Sequence, residues 1–326
     1  MNHCSTLKVL VVGGAGYIGS HVTKALAEAG YQPTVFDNLS TGLRKNLLPG
    51  TPFIHGDILI SDQIAQGLKN MDAIIHLAAL KAAGESMIFP EKYATHNLTG
   101  TINLLNAAVK EGITKFVFSS SAAVYGEPKY VPMDENHSTE PINFYGYTKL
   151  EIERLLNWYD QLKGLRSVCL RYFNAAGYDI DGQLNGLEQN PQNLFPIVME
   201  TIMGIREYVP VFGEDYDTPD GTGIRDYIHV SDLAKAHVKA LNYLETEDKS
   251  QCINLGTASG LSVKEVLRVS KEHSKIDFEI RTKPRRPGDP PKVLADSRKA
   301  LKLLKWSAQH SDVDTIVSTM LKAYQS

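Results

Sequence analysis

The chain has 326 residues, which is too long for one small core and suits a large α/β unit or two domains. Hydrophobic residues make up 43% and charged residues 22%, an ordinary composition for a globular protein. The formal net charge of -3 leaves no excess of basic side chains to neutralise phosphates, so no nucleic-acid partner is expected.

Signals of membrane, secreted and metal-binding proteins are missing from the sequence. No apolar run approaches the ~18 residues of a membrane span, and the opening MNHCSTLK leaves no room for the apolar core of a signal peptide. Cys4, Cys169 and Cys252 are scattered without C-x-x-C spacing, which favours a reducing cytoplasm over a disulfide framework. The ten histidines lack metal-ligand spacing, so no metal site is expected.

Strand-like and helix-like segments alternate along the first half of the chain. The first strand is predicted in LKVLVV, followed by a glycine cluster and by a helix, HVTKALAEAG, that ends at Gly30. Further strands are predicted in YQPTVFDNL, TPFIHGDI, MDAIIHLAAL, ITKFVFSSS and LRSVCLRYFNAAG, with helices in SDQIAQGLKN, NLTGTINLLNAAVKEG and NFYGYTKLEIERLLNWYDQLKG. This alternation predicts an α/β fold with a doubly wound parallel sheet.

The pattern changes after about Ala175. Residues 178–226 are rich in Gly, Pro, Asp and Asn, with one helix-like stretch near PIVMETIMG, which predicts a smaller α+β domain dominated by loops. Helix and strand patterns return in SDLAKAHVKALNYLE and CINLG. We therefore predict a nucleotide-binding domain over 1–175, rejoined by the chain around 228–256, and a substrate domain over 176–326.

Glycines between the first strand and the first helix form a nucleotide-binding fingerprint. Gly13, Gly16 and Gly19 spell G-x-x-G-x-x-G, and Gly14 completes a G-x-G-x-x-G. Without a Cβ the backbone can approach a pyrophosphate, while the helix N-terminus supplies free N–H groups. The alternative is an ordinary strand-to-helix turn, which the strand, glycine and helix context disfavours.

Acidic residues at the ends of the second and third predicted strands support this interpretation. Asp37 closes the second strand, where a carboxylate would take both ribose hydroxyls of an adenosine and repel a 2′-phosphate. That favours NAD over NADP, although a solvated acid at a strand end would look the same. Asp57, after the third strand, is a second candidate for adenine contact.

The segment FYGYTK offers two tyrosines before one lysine. Tyr145 and Lys149 are four residues apart and share a helix face, whereas Tyr147 is rotated by about 200° and is expected to pack. A lysine charge ~4 Å from a phenol is worth about 4 kcal/mol at an effective dielectric of 20. We therefore expect Lys149 to lower the Tyr145 pKa from about 10 toward neutrality, so that the phenol exchanges a proton with a sugar hydroxyl.

Two further observations bear on this pair. Y-x-x-x-K pairs arise by chance on many helices, so the assignment depends on the glycine fingerprint upstream. The loop SSSAAVYG follows the fifth strand and should lie at the carboxyl edge of the sheet, where such folds bind ligands. Ser121 can hydrogen-bond the same substrate oxygen as Tyr145; an ordinary serine-rich loop is the alternative.

Several motifs together resemble one enzyme family. GGAGYIG, SSSAAVYG, YGYTK and LRYFNAAG resemble the extended short-chain dehydrogenases/reductases, and DNLSTG, LAALKAAGES, DGTGIRDYIHVSDLA and PRRPGD resemble the UDP-glucose 4-epimerases among them. The resemblance covers about residues 7–306. It implies a Rossmann-type sheet, a tightly bound NAD⁺, a UDP-hexose oxidised transiently at C4 with Tyr145 as the base, and a homodimer built from two helices of each subunit.

The resemblance also assigns binding residues position by position. Its NAD contacts fall on Gly13, Gly16, Tyr17, Ile18, Asp37, Asn38, Asp57, Ile58, Leu77, Ala78, Lys81, Asn97, Tyr145, Lys149 and Phe173. Its nucleotide-sugar contacts fall on Asn174, Asn193, Leu194, Phe212, Arg225, Arg286 and Asp289. The forked guanidinium groups of Arg225 and Arg286 suit the two phosphates of a UDP-sugar, although a solvated basic loop is the alternative for the second.

Two positions depart from the family pattern. The family's Ala-Gly after the fourth strand reads Ala78-Ala79, and a position that holds a tyrosine in some bacterial members is Val293. In the family, a small residue at the latter position leaves room for an N-acetyl group on C2 of the sugar. We therefore hypothesise that UDP-GlcNAc and UDP-GalNAc are substrates in addition to UDP-glucose and UDP-galactose.

Three other functions are compatible with the fold. A sugar-nucleotide 4,6-dehydratase would need an acid in the loop after the fifth strand, where Ser121, Ala122 and Ala123 stand instead. A decarboxylase or uronic-acid epimerase would need carboxylate recognition that the sequence does not indicate. A non-catalytic NAD(H)-sensing protein would keep the glycines but would have no need for Ser121, Tyr145 and Lys149 together.

Overall fold

Fourteen short strands lie in the part of the chain that the computed structural model describes, residues 6–188, 191–286 and 288–326. Cys4 lies outside this part. The strands are β1 (Lys8–Val12), β2 (Gln32–Asp37), β3 (Phe53–His55), β4 (Ala73–His76), β5 (Lys115–Ser119), β6 (Arg166–Tyr172), β7 (Asn174–Ala176), β8 (Tyr208–Phe212), β9 (Ile224–Arg225), β10 (Tyr227–His229), β11 (Gln251–Leu255), β12 (Leu261–Ser262), β13 (Glu279–Lys283) and β14 (Lys292–Val293).

Seven of these strands form one parallel sheet in the order β11-β6-β5-β4-β1-β2-β3. The chain runs outward from β1 through β2 to β3, then crosses back to β4 and continues through β5 and β6. The direction of winding therefore reverses between β1 and β4, which is where open α/β sheets bind ligands beyond the carboxyl ends of their strands. The predicted doubly wound parallel sheet is confirmed.

The helices between the strands cover both faces of this sheet. They are α1 (Tyr17–Glu28), α2 (Ser61–Leu68), α3 (Ala83–Ser86), α4 (Pro90–Tyr93), α5 (Gly100–Lys110), α6 (Phe144–Lys163), α7 (Leu194–Ile202), α8 (Val230–Thr246), α9 (Val263–Ser274), α10 (Arg298–Leu304) and α11 (Val313–Gln325). No helix in these three ranges is both long and apolar enough to cross a membrane.

Alternate residues of β1 show how the two faces are filled. Val9 and Val11 belong to a buried cluster with side chains of α1 and α8. Leu10 and Val12 belong to a second cluster with side chains of α2, α5 and α6. Because successive side chains of a strand point to opposite faces, an apolar strand with no polar alternation must be covered on both sides.

Two helix boundaries differ from the sequence prediction for local reasons. α1 begins at Tyr17, four residues earlier than predicted, because Gly16 already serves as its N-cap. It ends before Gly30, whose φ of +88° follows the predicted pattern. The helix predicted from residue 97 begins earlier, with a π-helical segment over Ala94–Thr99 that continues into α5.

The chain after β6 forms short sheets rather than a second large one. β7 pairs with β10, β9 with β12 and β14, and β8 with β13. Side chains of α7, α9 and α11 share one buried cluster beside these sheets. β11 returns to the edge of the central sheet next to β6. The division into domains 1–175 and 176–326 stays a prediction.

Candidate active site

The predicted catalytic residues meet beyond the carboxyl end of β5. Ser121 lies in the loop that follows this strand, and α6 presents Tyr145 and Lys149 to the same loop. The Lys149 ammonium donates a hydrogen bond to the Ser119 carbonyl, the last residue of β5, with an N–O distance of 2.6 Å. The sheet edge that the topology favours for a ligand is therefore the one that carries these side chains.

The three glycines of the fingerprint have different reasons to be glycine. A Cβ on Gly13 would lie 2.5 Å from the Ala78 nitrogen, and one on Gly19 would lie 2.2 Å from the Gly13 oxygen. The fold itself therefore requires these two. A Cβ on Gly16 would meet only the Gly13 oxygen, at 3.3 Å, among the described atoms. Gly16 is thus the glycine whose missing side chain leaves room for something outside the protein.

The N-terminus of α1 is left without a side-chain cap. Gly16 is the N-cap residue and the first turn contains no acidic side chain, so the N–H groups of Tyr17 and Ile18 are not competed for by a capping oxygen. The Tyr17 hydroxyl donates to the Gly177 carbonyl at 2.5 Å, and burial raises the pKa of Tyr17. The Tyr17 side chain therefore holds the segment at Gly177, while its backbone N–H group lies in the first turn of α1.

The predicted adenosine-binding side chains lie together at the ends of β2 and β3. The buried Asp37 carboxylate accepts N–H bonds from Ala15 at 3.0 Å and from Leu39 at 2.8 Å. Burial raises the pKa of Asp37, and these two donors oppose that shift. The Asn38 amide donates to the Asp57 carboxylate at 2.9 Å. Each Asp37 oxygen keeps a second lone pair for a hydroxyl donor.

The loop after β4 packs against the glycine loop. Leu77 and Ala78 both donate their N–H groups to the Val12 carbonyl, at 2.8 and 3.0 Å. Further along this loop Lys81 is largely exposed and forms an ion pair with Glu188. The backbone of Gly13 approaches the backbone of Ala78 closely, since a Cβ on Gly13 would lie 2.5 Å from the Ala78 nitrogen.

Asn97 and Ile58 support the site from behind. The Asn97 side chain accepts from the Leu80 N–H at 2.9 Å and donates to the Leu80 carbonyl at 3.0 Å and to the Thr148 hydroxyl at 3.1 Å. This amide therefore clamps the loop after β4 to α6, and its direct contact with a cofactor stays a prediction. Ile58 packs against Gly100 at the start of α5.

Three contacts set the start of α6. The Asn143 side chain caps the helix by accepting from the Gly146 N–H at 2.8 Å. The Tyr145 N–H, which has no partner inside the helix, donates to the buried Ser86 hydroxyl at 3.0 Å. A Cβ on Gly146 would lie 2.4 Å from the Ala123 carbonyl oxygen. The glycine between the two tyrosines therefore allows the helix to touch the Ser121 loop.

Tyr147 lies away from this contact, as the helical spacing predicted. Its side chain is 41% exposed, and its ring is tilted against that of Phe144 with 5.4 Å between the centroids. Tyr147 therefore packs against a neighbour on its own helix, and it does so at the surface rather than in the core.

Lys149 is held in an almost fully buried position. Its ammonium lies 4.7 Å from the centre of the Phe118 ring and 5.8 Å from the centre of the Tyr145 ring. Burial lowers the pKa of Lys149 to about 7, and the Glu153 carboxylate opposes that shift. The pKa of Lys149 therefore lies near neutral pH, so the charge of this side chain responds to its surroundings.

The expectation that Lys149 lowers the Tyr145 pKa is wrong for the protein alone. Burial raises the pKa of Tyr145 to about 12, and only the hydrogen bond with Ser121 opposes this shift. The reason is geometric, since the Lys149 ammonium is directed at the Ser119 carbonyl rather than at the phenol oxygen. Positive charge beside the phenol would have to come from a bound group as well.

Phe173 and Val293 border the loop after β5 that carries Ser121, called the catalytic loop below. Both pack, with Ala122, against one small cluster of buried side chains: Val124, Tyr125, Met133 and Leu150. The structure thereby brings a residue predicted to contact the cofactor and a residue predicted to contact the sugar to the same wall. The neighbouring Asn174 amide donates to the Asp226 carbonyl at 3.1 Å.

Four predicted nucleotide-binding residues form two pairs. Arg286 stacks on the Phe212 ring, with its guanidinium carbon 3.9 Å from the ring centre. Arg225, which lies opposite Val293 in the β9–β14 register, forms an ion pair with Asp289. Two guanidinium groups and one acidic partner are thus presented by β8, β9 and the segment before β14.

Asn193 and Leu194 stand apart from these pairs. Asn193 is the exposed N-cap residue of α7 and makes no side-chain capping bond. Leu194 begins the helix and packs against the cluster shared by α7, α9 and α11. No described contact joins either residue to the arginines, and their role stays a prediction.

The sequence analysis missed several residues that build the site. Asn143 could have been recognised, because Asn followed by a helical pattern is an N-cap signal. Glu153 also left a signal, since it stands eight residues after Tyr145 on the same helix face. Ser86 and Gly146 gave none, because their contacts depend on how distant segments meet.

Comparisons with known proteins agree over nearly the whole chain. The model of the NAD dependent epimerase/dehydratase family matches residues 9–256. A UDP-glucose 4-epimerase from Lacticaseibacillus casei is 43% identical over 318 residues, which is 96% of this chain and 95% of that protein.

Solved structures give the same result. A UDP-glucose 4-epimerase from Brucella ovis, crystallised in complex with NAD, is 42% identical, covers 98% of both chains and superposes with a TM-score of 0.95. A UDP-Glc/GlcNAc 4-epimerase from Campylobacter jejuni is 36% identical, covers 98% of this chain and 99% of that one, and has a TM-score of 0.86. The chain therefore belongs to the NAD dependent epimerase/dehydratase family and, within it, to the UDP-glucose 4-epimerases.

Proposed function

We propose that this chain interconverts UDP-galactose and UDP-glucose by transient oxidation at C4, with NAD⁺ as a tightly bound cofactor. One observation carries the proposal. The buried Tyr145 phenol is hydrogen-bonded to Ser121 and backed by Lys149, beyond the strand ends and next to an uncapped glycine-rich helix start. Proton transfer at a hydroxyl and binding of a dinucleotide are thus provided by adjoining elements.

The residues present fit NAD. Gly16 and the free N–H groups of the first turn of α1 would hold the pyrophosphate, and Asp37 would accept the adenosine ribose hydroxyls. When bound, NAD⁺ supplies the hydride acceptor for C4 and a positive charge that favours the phenolate. A carboxylate rather than an arginine at the end of β2 favours NAD over NADP.

Side chains of the protein then transfer the proton of the C4 hydroxyl. Tyr145, in its deprotonated form, takes the proton of the C4 hydroxyl and gives it back after the configuration has inverted. Ser121 donates to the same oxygen and fixes its distance from the phenol. Lys149 contributes charge from behind, held in place by the Ser119 carbonyl. Because all three side chains are fixed by the protein, little reorganisation is needed as charge develops.

The UDP portion is assigned to the second half of the chain. Arg225 and Arg286 would bind the two phosphates, and Phe212 and Asp289 hold these guanidinium groups before a ligand arrives. Asn174, Asn193 and Leu194 are proposed as further contacts.

The first experiment tests the cofactor and the reaction together. The chain is purified without added nucleotide and denatured, and the supernatant is examined for released NAD. Native protein is then mixed with UDP-galactose, and formation of UDP-glucose is followed by ¹H NMR. Release of NAD without any turnover would favour the NAD(H)-sensing alternative, and release of 4-keto-6-deoxy product would favour the dehydratase.

Val293 supports a wider substrate range. It is half-buried on the wall shared with Phe173 and Ala122, where a tyrosine would project a ring into the space next to the catalytic loop. We therefore include UDP-GlcNAc and UDP-GalNAc among the substrates. Assays at equal concentrations of UDP-GlcNAc and UDP-glucose test this, and Val293→Tyr should suppress turnover of the N-acetyl sugar alone.

We also propose a homodimer in the cytoplasm. α6 presents Tyr147, Trp158 and Leu162 within about 60° of helix rotation, and their side chains are 41%, 58% and 68% exposed. Such an apolar stripe suits burial against a second copy. The location is proposed on the sequence alone, because three cysteines without C-x-x-C spacing fit a reducing compartment.

A further inference from the structure

A buried ion pair lies directly behind the catalytic residues. The Arg171 guanidinium donates to the Glu153 carboxylate through Nε at 2.9 and 3.2 Å and through Nη2 at 2.5 Å. Both side chains are almost completely buried. Removing two such charges from water carries a penalty of several kcal/mol per ion, so the pair contributes little net stability.

The first link runs from the pair to Lys149. Glu153 follows Lys149 by one helical turn and Tyr145 by two, so the three side chains share one face of α6. Besides Glu153, the titratable groups that face Lys149 are Tyr145 on the same helix, Cys169 on β6 and His76 on β4. Of these groups only Glu153 is a carboxylate, and its charge raises the pKa of Lys149 against the effect of burial.

The second link runs to the catalytic loop. The buried Ser120 hydroxyl donates to Glu153 Oε1 at 2.5 Å. The three consecutive serines therefore have three separate functions: the Ser119 carbonyl holds Lys149, the Ser120 hydroxyl anchors the loop on Glu153, and Ser121 bonds the phenol. The Ser120 side chain is buried, and its hydroxyl is already engaged by Glu153.

The third link fixes the other end of the same loop. Arg171 Nη1 donates to the Tyr125 hydroxyl at 3.0 Å, and that hydroxyl donates to the Asn254 side chain at 2.6 Å. The ion pair is thus hydrogen-bonded to Ser120 through Glu153 and to Tyr125 through Arg171, and Ser121 lies between these two residues in the chain. A network whose members are all satisfied holds such a loop in a single geometry.

We propose that Glu153 and Arg171 are positioning residues for proton transfer at Tyr145: Glu153 keeps Lys149 protonated, and the pair fixes the Ser121 turn at both ends. Neither side chain touches the substrate, since both act through Lys149, Ser120 and Tyr125. The inference rests on the proposed function, because it assigns the tuning of the same site. It explains why a charged pair is kept in a core where an apolar pair would be at least as stable.

The lysine itself provides a readout that does not depend on turnover. In holoenzyme labelled with ¹³C-lysine, the Lys149 side-chain signal, assigned by its loss in Lys149→Met, is titrated with pH. Glu153→Gln should lower its midpoint by about one pH unit, whereas Glu151→Gln, an outward carboxylate on the same helix, should leave it unchanged. An unchanged midpoint in Glu153→Gln overturns the tuning role.

Turnover separates the two parts of the proposal. Glu153→Gln should lower kcat for UDP-galactose by ~10- to 100-fold with KM within about twofold, and move the alkaline limb of the kcat profile to lower pH. Ser120→Ala should lower kcat by about tenfold without moving that limb. Wild-type kcat in Ser120→Ala overturns the anchoring role.

Two controls keep the outcomes distinct. Glu153→Asp, which keeps the charge but shortens the reach, should retain the Lys149 midpoint and lose turnover. A midpoint that fell in Glu153→Asp as far as in Glu153→Gln would show that the charge itself does not tune Lys149. Failure of the unaltered chain to convert UDP-galactose would remove the proposed epimerase function, while the lysine titration would still decide whether Glu153 tunes Lys149.

Discussion

At the scale of single residues, the choice between Tyr145 and Tyr147 has the sharpest consequence. Tyr145→Phe keeps the buried ring and removes only the hydroxyl that bonds Ser121. We expect kcat to fall by on the order of 10³-fold or more, with bound NAD retained, because proton transfer loses its acceptor. The measurement is NMR of UDP-galactose conversion together with NAD released on denaturation.

Tyr147→Phe is the matched control for this change. It removes the same atom two residues away, from an exposed ring that does not face the loop. We expect its turnover to equal that of the unaltered chain. Equal turnover in Tyr145→Phe would assign the base to another group.

Gly146 lends itself to a second test at this scale. Gly146→Ala would place a methyl group 2.4 Å from the Ala123 carbonyl oxygen, so either α6 or the Ser121 turn must shift by several tenths of an ångström. Because catalysis depends on the Ser121 to Tyr145 geometry, we expect kcat to fall ~10- to 100-fold and the melting temperature to drop by a few degrees.

Gly84→Ala serves as the control, since a Cβ there meets no described atom within 4 Å in a helical position. It should leave kcat unchanged and keep or raise the melting temperature. If Gly146→Ala behaved in the same way, the close approach of α6 to the loop would not be needed for activity.

At the scale of elements, the sequence predicted what local pattern determines. The apolar runs of β1, β4 and β5 are buried on both faces and so left a continuous signal, and the cap glycine of α1 was visible at Gly30. The Tyr145 and Lys149 pairing followed from helical spacing alone.

The sequence could not predict in which direction the Lys149 ammonium points or how deeply the Tyr145 phenol is buried. Whether the Lys149 ammonium points at the Tyr145 oxygen or at the Ser119 carbonyl depends on where α6 meets β5, and the second arrangement leaves the phenol pKa raised. The strands of the second half have only two to five residues and leave almost no period to read. Their pairings connect segments up to about 70 residues apart. The family resemblance, rather than the pattern, located Arg286 and Asp289.

The outer face of α6 carries the prediction that belongs to this scale. Trp158→Glu with Leu162→Glu puts two charges on the apolar stripe of α6. We expect the homodimer to dissociate, because burying an unpaired carboxylate at an interface costs several kcal/mol. Light scattering after size-exclusion chromatography should report about half the mass of the unaltered chain. A parallel pair of changes at the exposed Arg268 and Glu272 on α9 to alanine should leave the mass unchanged.

At the scale of the whole molecule, four of the buried histidines make the stability of the protein sensitive to acid. Burial lowers the pKa of His21 on α1 and His237 on α8 to about 4, and that of His76 on β4 and His229 on β10 to about 3. In the unfolded chain each would titrate near 6.5. Between pH 6.5 and about 4 the unfolded state therefore binds protons that the native state does not, so the free energy of unfolding falls as the pH is lowered through this window.

The size of this loss makes it measurable. At pH 5 each histidine contributes a loss of about 2 kcal/mol relative to pH 7, and four together approach the total stability of an ordinary domain. Urea unfolding of the holoprotein should therefore give nearly constant free energies from pH 8 to 7 and a steep decline below 6.5. His237→Gln should make that decline shallower, because one proton fewer is taken up on unfolding. His55→Gln, which changes an exposed ring at the end of β3, is the control and should leave the slope of the free energy of unfolding against pH unchanged. A free energy of unfolding that stayed level down to pH 5 would mean that these core histidines accept protons in the native state, and the packing between α1, α8 and the central sheet would then have to admit water.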